Sequence, residues 1–216
     1  MLMDRNKESV KTYNKAAKNY QEKVMKMDLY DDTYDKFCWL IDKKNPEILE
    51  IACGPGNVTK YLNSKRPDFM ILGIDLAPSM IELAKISNPR ADFMIMDCRH
   101  ISRLNKKFDA IVCGFCMPYL SKQECSKMIG DFSKLLKPGG LLYFSTMEGN
   151  YDKSGFETTS FSGGDKVFIY YHQEVFLAAC LIANGFDLQK KQCLEPNGTF
   201  FTDMVFIAEK NKELRR

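Results

Sequence analysis

Two carboxylates stand 25 positions apart, each closing or interrupting a short apolar run: Glu50 in Ile48-Leu49-Glu50-Ile51 and Asp75 in Ile71-Leu72-Gly73-Ile74-Asp75. Between them, Ala52-Cys53-Gly54-Pro55-Gly56-Asn57 forms a glycine-rich turn leading into a helix-like segment. Gly54 and Gly56 let the backbone turn tightly and approach a ligand with no Cβ in the way. An acid at the end of the following strand accepts from both hydroxyls of a ribose. The pattern therefore specifies a nucleotide-type cofactor site. A dinucleotide site needs Gly-x-Gly-x-x-Gly, so that a pyrophosphate rests on a helix N-terminus. The third position here is Thr59, and Glu50 precedes the turn, which departs from the NAD pattern.

Glu50-x-x-Cys53-Gly54-x-Gly56 instead resembles motif I of the class I S-adenosylmethionine-dependent methyltransferases, and further motifs extend the resemblance over about residues 10 to 209. It implies that Glu50 lies near the amino-acid end of the cofactor and that Ala52, Cys53, Gly54 and Gly56 pass beside its sugar and methionine part. Ile74-Asp75-Leu76-Ala77-Pro78-Ser79-Met80 looks like the ribose-binding strand end, with Asp75, Leu76 and Met80 at the cofactor. In Met94-Ile95-Met96-Asp97-Cys98, Asp97 would meet the adenine amino group and the Cys98 backbone its ring edge. Phe108-Asp109-Ala110-Ile111-Val112-Cys113-Gly114 resembles the fourth strand, placing Cys113, Gly114 and Phe115 near the sulfonium, and Leu135-Leu136-Lys137-Pro138-Gly139-Gly140 resembles the turn into the fifth. Tyr13-Asn14-Lys15-Ala16-Ala17-Lys18-Asn19-Tyr20 looks like the N-terminal helix of small-molecule members. From that helix Tyr13 or Tyr20 would reach the cofactor carboxylate; the alternative is a structural aromatic stripe.

The chemistry that the resemblance implies is in-line transfer of a methyl group to a small-molecule acceptor, leaving S-adenosylhomocysteine. Alignment and exclusion of water do most of this work, and a base is needed only if the nucleophile must lose a proton. Two residues are candidates on the acceptor side. Tyr119 lies in Phe115-Cys116-Met117-Pro118-Tyr119-Leu120, where nucleic-acid methylating relatives carry Asn/Asp-Pro-Pro-Tyr; that motif is absent here. Tyr119 reads as a pocket wall or as packing under the next helix. His172, in Tyr170-Tyr171-His172-Gln173, reads as a helix cap or packing group first and as a near-neutral base second. The stretch 147–166, with Gly163-Gly164, reads as a lid or a plain connection. Cys113-Gly114-Phe115-Cys116 has the Cys-x-x-Cys spacing without a second pair or a nearby His, so it reads as small apolar side chains beside the cofactor rather than a metal site. His100 is taken as structural or exposed.

These residues require an α/β framework: a doubly wound Rossmann-like sheet of about seven strands, mostly parallel with an antiparallel C-terminal strand, helices on both faces and an N-terminal helical cap. Strands are expected at 47–52, 70–75, 93–97, 108–113, 141–146, 186–194 and 199–209. A helix is expected at 121–136, where Ser121 and Glu124 form a capping box and Cys125, Met128, Ile129, Phe132, Leu135 and Leu136 fall on one face. Another runs from Gln173 to Asn184, closed by Gly185. The expected organisation is one domain, with a cap over 1–45, a cofactor core over 46–146 and an acceptor-side segment over 147–209.

With 216 residues, one core can bury roughly 70% of the unfolded surface. The net charge of +3 is small and spread, so no nucleic-acid partner is expected, and no apolar run approaches the ~20 residues of a membrane span. Eight cysteines and a charged start point to a cytosolic protein with reduced thiols, as a monomer or homodimer. The competing functions are a methyltransferase acting on protein or RNA, an NAD-dependent oxidoreductase, and a non-catalytic module that binds S-adenosylmethionine.

Overall fold

Apolar side chains at successive positions, rather than alternate ones, force a strand into the middle of a structure covered on both faces. Ile48, Leu49, Ile51, Ala110, Ile111, Val112 and Cys113 are all buried, and they belong to the two central strands. The computed structural model describes residues 4–195 and 202–212. Three N-terminal helices, α1 (Arg5–Lys15), α2 (Ala17–Val24) and α3 (Asp31–Leu40), precede an alternating array. It comprises β1 (Glu47–Ile51), α4 (Asn57–Lys65), β2 (Met70–Asp75), α5 (Pro78–Ser87), β3 (Asp92–Ile95), β4 (Phe108–Gly114), α6 (Lys122–Leu135) and β5 (Leu136–Met147). A short hairpin, β6 (Gly155–Thr158) and β7 (Lys166–Ile169), then leads to α7 (Glu174–Ala183), β8 (Phe186–Leu194) and β9 (Asp203–Lys210).

The seven-stranded sheet has the order β3-β2-β1-β4-β5-β9-β8. Strands β1 to β5 pair in parallel, β9 runs antiparallel to β5, and β8 antiparallel to β9. Strand order reverses between β1 and β4, so their carboxyl ends open a crevice there. Alternation of side chains across each strand divides the core in two. Leu49, Ile51 and Ile111 meet Met128, Phe132, Leu177 and Leu181 of α6 and α7 on one face. On the other, Ile48, Val112 and Tyr143 meet Phe37 and Leu62 of α3 and α4.

The capping box of α6 is present in both directions: Ser121 Oγ accepts from Glu124 N, and Glu124 Oε2 accepts from Ser121 N. All six residues of its expected stripe are buried. Gly185 takes a φ of 75° just after α7, the left-handed conformation that ends helices. Three boundaries differ from the sequence reading. β3 stops at Ile95 because Asp97 leaves the strand to cap a 3-10 turn over Cys98–Arg103. β5 begins at Leu136, since the Lys137–Gly140 turn stays in the ladder through an irregularity between Phe108 and Ala110. β9 begins at Asp203; positions 199–201 of the expected strand lie outside the described residues. The stretch 147–166 is not a plain connection, for it carries β6 and leads into its partner β7. Four-residue strands give too short a pattern to be read in advance. Among the described residues, no helix is long and apolar enough to cross a membrane.

Candidate active site

The chain leaves β1 through three left-handed residues, Ala52 (φ 54°), Gly54 (53°) and Gly56 (80°). Ala52 carries a Cβ in that conformation, a strain of the kind stored at functional sites. Asp75, at the end of β2, ties the turn down: its Oδ2 accepts from Gly54 N at 3.0 Å and its Oδ1 from Ala77 N at 2.8 Å. Burial raises the Asp75 carboxyl, partly offset by these backbone donors. Each oxygen keeps a further lone pair for a ligand. Gly56 serves packing instead. A Cβ there would stand 2.3 Å from Asn88 Nδ2 and 3.2 Å from Ala84, and Asn88 Nδ2 donates to Gly56 O at 2.9 Å.

Above the turn lies a pocket of about 760 Å³ including its open mouth, within the range of small-molecule sites. Asp75, Leu76, Ala77 and Met80 form its middle, and Met96, Asp97 and Cys98 one end. Ala52, Gly54, Gly114, Phe115, Cys116 and Tyr119 form the rest of the floor and wall. Asn6, Ser9, Val10, Tyr13 and Tyr20 come down from the N-terminal helices. Asp97 accepts from Arg99 N at 2.9 Å, Arg99 Nε at 3.0 Å and Arg99 Nη2 at 2.6 Å. Burial raises its carboxyl, but the Arg99 contacts outweigh that and hold it below the usual carboxylate range.

Aromatic rings build the roof. Tyr13 packs edge-on to Tyr20 and Tyr119 and tilted on Phe161, and its hydroxyl meets the hydroxyl of Tyr119. The Tyr20 ring lies 3.6 Å from where a Cβ on Gly54 would sit, directly over the glycine turn. Burial pushes the hydroxyls of Tyr13 and Tyr20 upward and that of Tyr119 up to about 12. The hairpin fastens the roof from outside: Thr12 Oγ1 donates to Lys166 O at 3.2 Å, and Lys15 pairs with Asp165 at 2.7 Å.

Of the residues expected at the cofactor, Tyr13, Tyr20, Ala52, Gly54, Asp75, Leu76, Met80, Asp97, Cys98, Gly114 and Phe115 line this pocket, as does Tyr119. Glu50, Cys53, Gly56 and Cys113 do not. Glu50 is enclosed beneath the turn, where Thr59 Oγ1 donates to it, and burial raises its carboxyl to about 8. Cys53 faces Ile81, Ala84 and Phe93, because alternation past β1 turns it away from the ligand side. Cys113 is wholly buried within β4, and its neighbour Cys116 takes the wall.

Of the two readings of His172, the structure has the packing one. His172 is wholly buried, with Nε2 3.1 Å from Met117 O and 3.0 Å from Leu120 O. Its ring braces the Met117–Tyr119 turn from behind and does not face the pocket, nor does its side chain cap α7, which has no side-chain cap. Asn6, Ser9, Val10, Ala77 and Met96 are not among the residues expected at the site. Asn6 and Ser9 sit on a helix whose apolar spacing starts only at Val10, so nothing in their local pattern marks them.

Residues 48–140 match the family described as a methyltransferase domain. Over 109 residues the chain is 35% identical to protein 235L of Invertebrate iridescent virus 6, an alignment covering 50% of this chain and 40% of that one. It is 29% identical over 136 residues to the malonyl-[acyl-carrier protein] O-methyltransferase of Acetivibrio thermocellus, covering 62% of this chain and 47% of that enzyme. The chain thus spans about half the length, or less, of these relatives. Magnesium protoporphyrin IX methyltransferase from Synechocystis PCC 6803, solved with S-adenosylhomocysteine, superposes with a TM-score of 0.72 over 97% of this chain and all of that one. At 17% identity, that likeness is one of fold. Sheet order and glycine turn are thus those of the class I S-adenosylmethionine-dependent methyltransferase fold, and residues 48–140 match a methyltransferase domain.

Proposed function

We propose that the chain transfers a methyl group from S-adenosylmethionine to a small-molecule acceptor. The observation that carries this reading is the Asp75 carboxylate at the middle of the pocket, fixed by Gly54 N and Ala77 N with lone pairs to spare. Those lone pairs suit the two ribose hydroxyls. The Met96–Cys98 end suits the adenine, with Asp97 as acceptor for its amino group. A wholly buried Ser9 Oγ on the same pocket has no partner among the described residues, an orphan of the kind that ligands satisfy. Gly54, with no Cβ beneath Tyr20, leaves space for the methionine part.

When bound, S-adenosylmethionine supplies an electrophilic methyl group on a sulfonium. The protein supplies position: Asp75 and Asp97 fix one half, Tyr20 covers the other, and the Tyr13, Tyr20 and Phe161 rings exclude water. Gly114 and Phe115 line the pocket, and in this reading their carbonyl oxygens would favour the positive charge of the sulfonium. The same reading takes the protein as cytosolic, with neither membrane nor nucleic-acid partner, as a monomer or homodimer; free thiols and a net charge of +3 support it.

A thermal-shift titration with S-adenosylmethionine, S-adenosylhomocysteine and NAD tests the proposal. A ligand at ~100 times its dissociation constant adds about 2.7 kcal/mol, or several degrees. Stabilisation by the first two alone is expected. Stabilisation by NAD alone, or by none, overturns the reading.

A further inference from the structure

We infer that the acceptor group is a carboxylate, held by the phenols of Tyr119 and Tyr13 and methylated on oxygen to an ester. The inference rests on the methyl-transfer reading above. Tyr119 comes from the turn after β4 and Tyr13 from α1, and their hydroxyl oxygens meet on the pocket wall beside Cys116. Two phenols bring two protons. Their mutual contact uses one, and the second has no acceptor among the described residues. A donor left over inside a pocket marks where a ligand oxygen belongs.

Both phenols stay protonated at neutral pH, because burial disfavours their charged forms. They therefore donate hydrogen bonds and do not accept an acceptor's proton. No other described group around them is placed to do so. Asp75, beyond its two backbone donors, is taken up by the ribose hydroxyls in the reading above, and Asp97 by Arg99 and the adenine. His172 is enclosed behind Met117 and Leu120, and Glu157, outside the pocket, accepts from Tyr171. An alcohol, a phenol or an ammonium would need to shed a proton to attack. A carboxylate carries its nucleophilic lone pair already, and on leaving water its two oxygens need donors. The O–H left over meets one oxygen, and the other phenol can donate to the second by exchanging its contact with its neighbour for the ligand; such charge-assisted bonds are stronger than the neutral one they replace.

The step balances without a base. One carboxylate oxygen forms a bond to the methyl carbon, the carbon–sulfur bond breaks, and its electron pair remains on sulfur. A cation and an anion become a neutral thioether and a neutral ester, and no proton is released.

The test uses calorimetric titration of the full chain, saturated with S-adenosylhomocysteine, by benzoate, hexanoate and their amides. The expected result is at least tenfold tighter binding of an acid than of its amide, with the preference lost in Tyr119→Phe and reduced in Tyr13→Phe. Phenylalanine preserves the ring packing, so the melting temperature of each variant without ligand checks the fold. Equal affinity for acid and amide, or no binding of either acid, overturns the inference. The S-adenosylhomocysteine saturation step reports on the cofactor reading by itself, so the two failures are distinguishable. Once an acceptor is found, tritiated methyl label should be released by alkali as methanol, with no proton liberated per turnover. An alkali-stable label accompanied by one proton per turnover also overturns it.

Discussion

Arg99 grips Asp4 with both terminal nitrogens, Nη1 to Oδ1 and Nη2 to Oδ2 at 3.1 Å each. Asp4 caps α1, accepting from Asn6 N at 3.2 Å, while the same guanidinium holds Asp97 on the pocket floor. One side chain thus joins the first turn of the roof to the end of the pocket assigned to adenine. The Arg99–Asp4 pair is partly exposed, at 22% and 32%, so salt screens it. Arg99→Gln is expected to weaken S-adenosylhomocysteine binding about tenfold, or ~1.4 kcal/mol. Titration at low and high sodium chloride checks the cause: the wild type should lose affinity with salt more steeply than the variant.

Gly54 and Gly56 look equivalent in sequence but are expected to fail differently. Alanine at Gly56 meets the Asn88 amide and the Ala84 backbone at a φ of 80°, so α4 and α5 must separate. Gly56→Ala should lower the melting temperature without ligand by several degrees, consistent with a strained, overpacked site of ~2–4 kcal/mol. Gly54→Ala also takes on a left-handed φ, of 53°, the conformation that Ala52 already holds, but its Cβ meets only the Tyr20 ring, at 3.6 Å. It should melt within a few degrees of the wild type yet lose most of its cofactor-induced stabilisation. Thermal shift with and without S-adenosylhomocysteine separates the two outcomes.

The contrast between these glycines shows what the chain made legible. Strand spacing, the acid of β2 and the α6 capping box depend on local pattern, and they emerged in place. Which residues of a motif face the ligand depends on how the turn is wound. Glu50, Cys53, Gly56 and Cys113 carry the family pattern yet lie beneath or behind the surface that lines the pocket. Asn6, Ser9 and the β6–β7 hairpin reach the site or its roof through contacts between distant segments, such as Thr12 with Lys166. No periodicity of a single segment encodes those.

Glu50 sets a pH dependence. Its carboxyl is raised from an ordinary 4.5 to about 8 by burial. Between these values the folded chain keeps a proton that the unfolded chain releases, so stability falls as pH rises through the window. Below it both states are protonated, and above it both are ionised, with the burial penalty fully present. Glu50→Gln removes the ionisation and keeps an oxygen to accept from Thr59. The melting temperature of the variant relative to wild type, without cofactor, should climb from pH 4.5 to pH 8 and then level. A difference that is flat with pH would show that Glu50 ionises freely in the folded chain.

His172 offers the opposite sign. Burial lowers its pKa from 6.5, although the carbonyls of Met117 and Leu120 favour the protonated ring. The folded chain then binds fewer protons than the unfolded one, and the contribution of the ring fades as pH falls through and below 6.5. At pH 8, His172→Ala removes the donor to two buried carbonyls and leaves a cavity, an expected loss of about 2–4 kcal/mol. At pH 5 the gap to wild type should narrow. The carbonyls that His172 holds flank Pro118 and Tyr119, so its loss should slacken the wall on which Tyr119 stands. With an acceptor in hand, His172→Gln should therefore raise KM more than it lowers kcat and leave the shape of the kcat pH profile unchanged. A general base would behave otherwise, with kcat collapsing and the acidic limb of the profile disappearing.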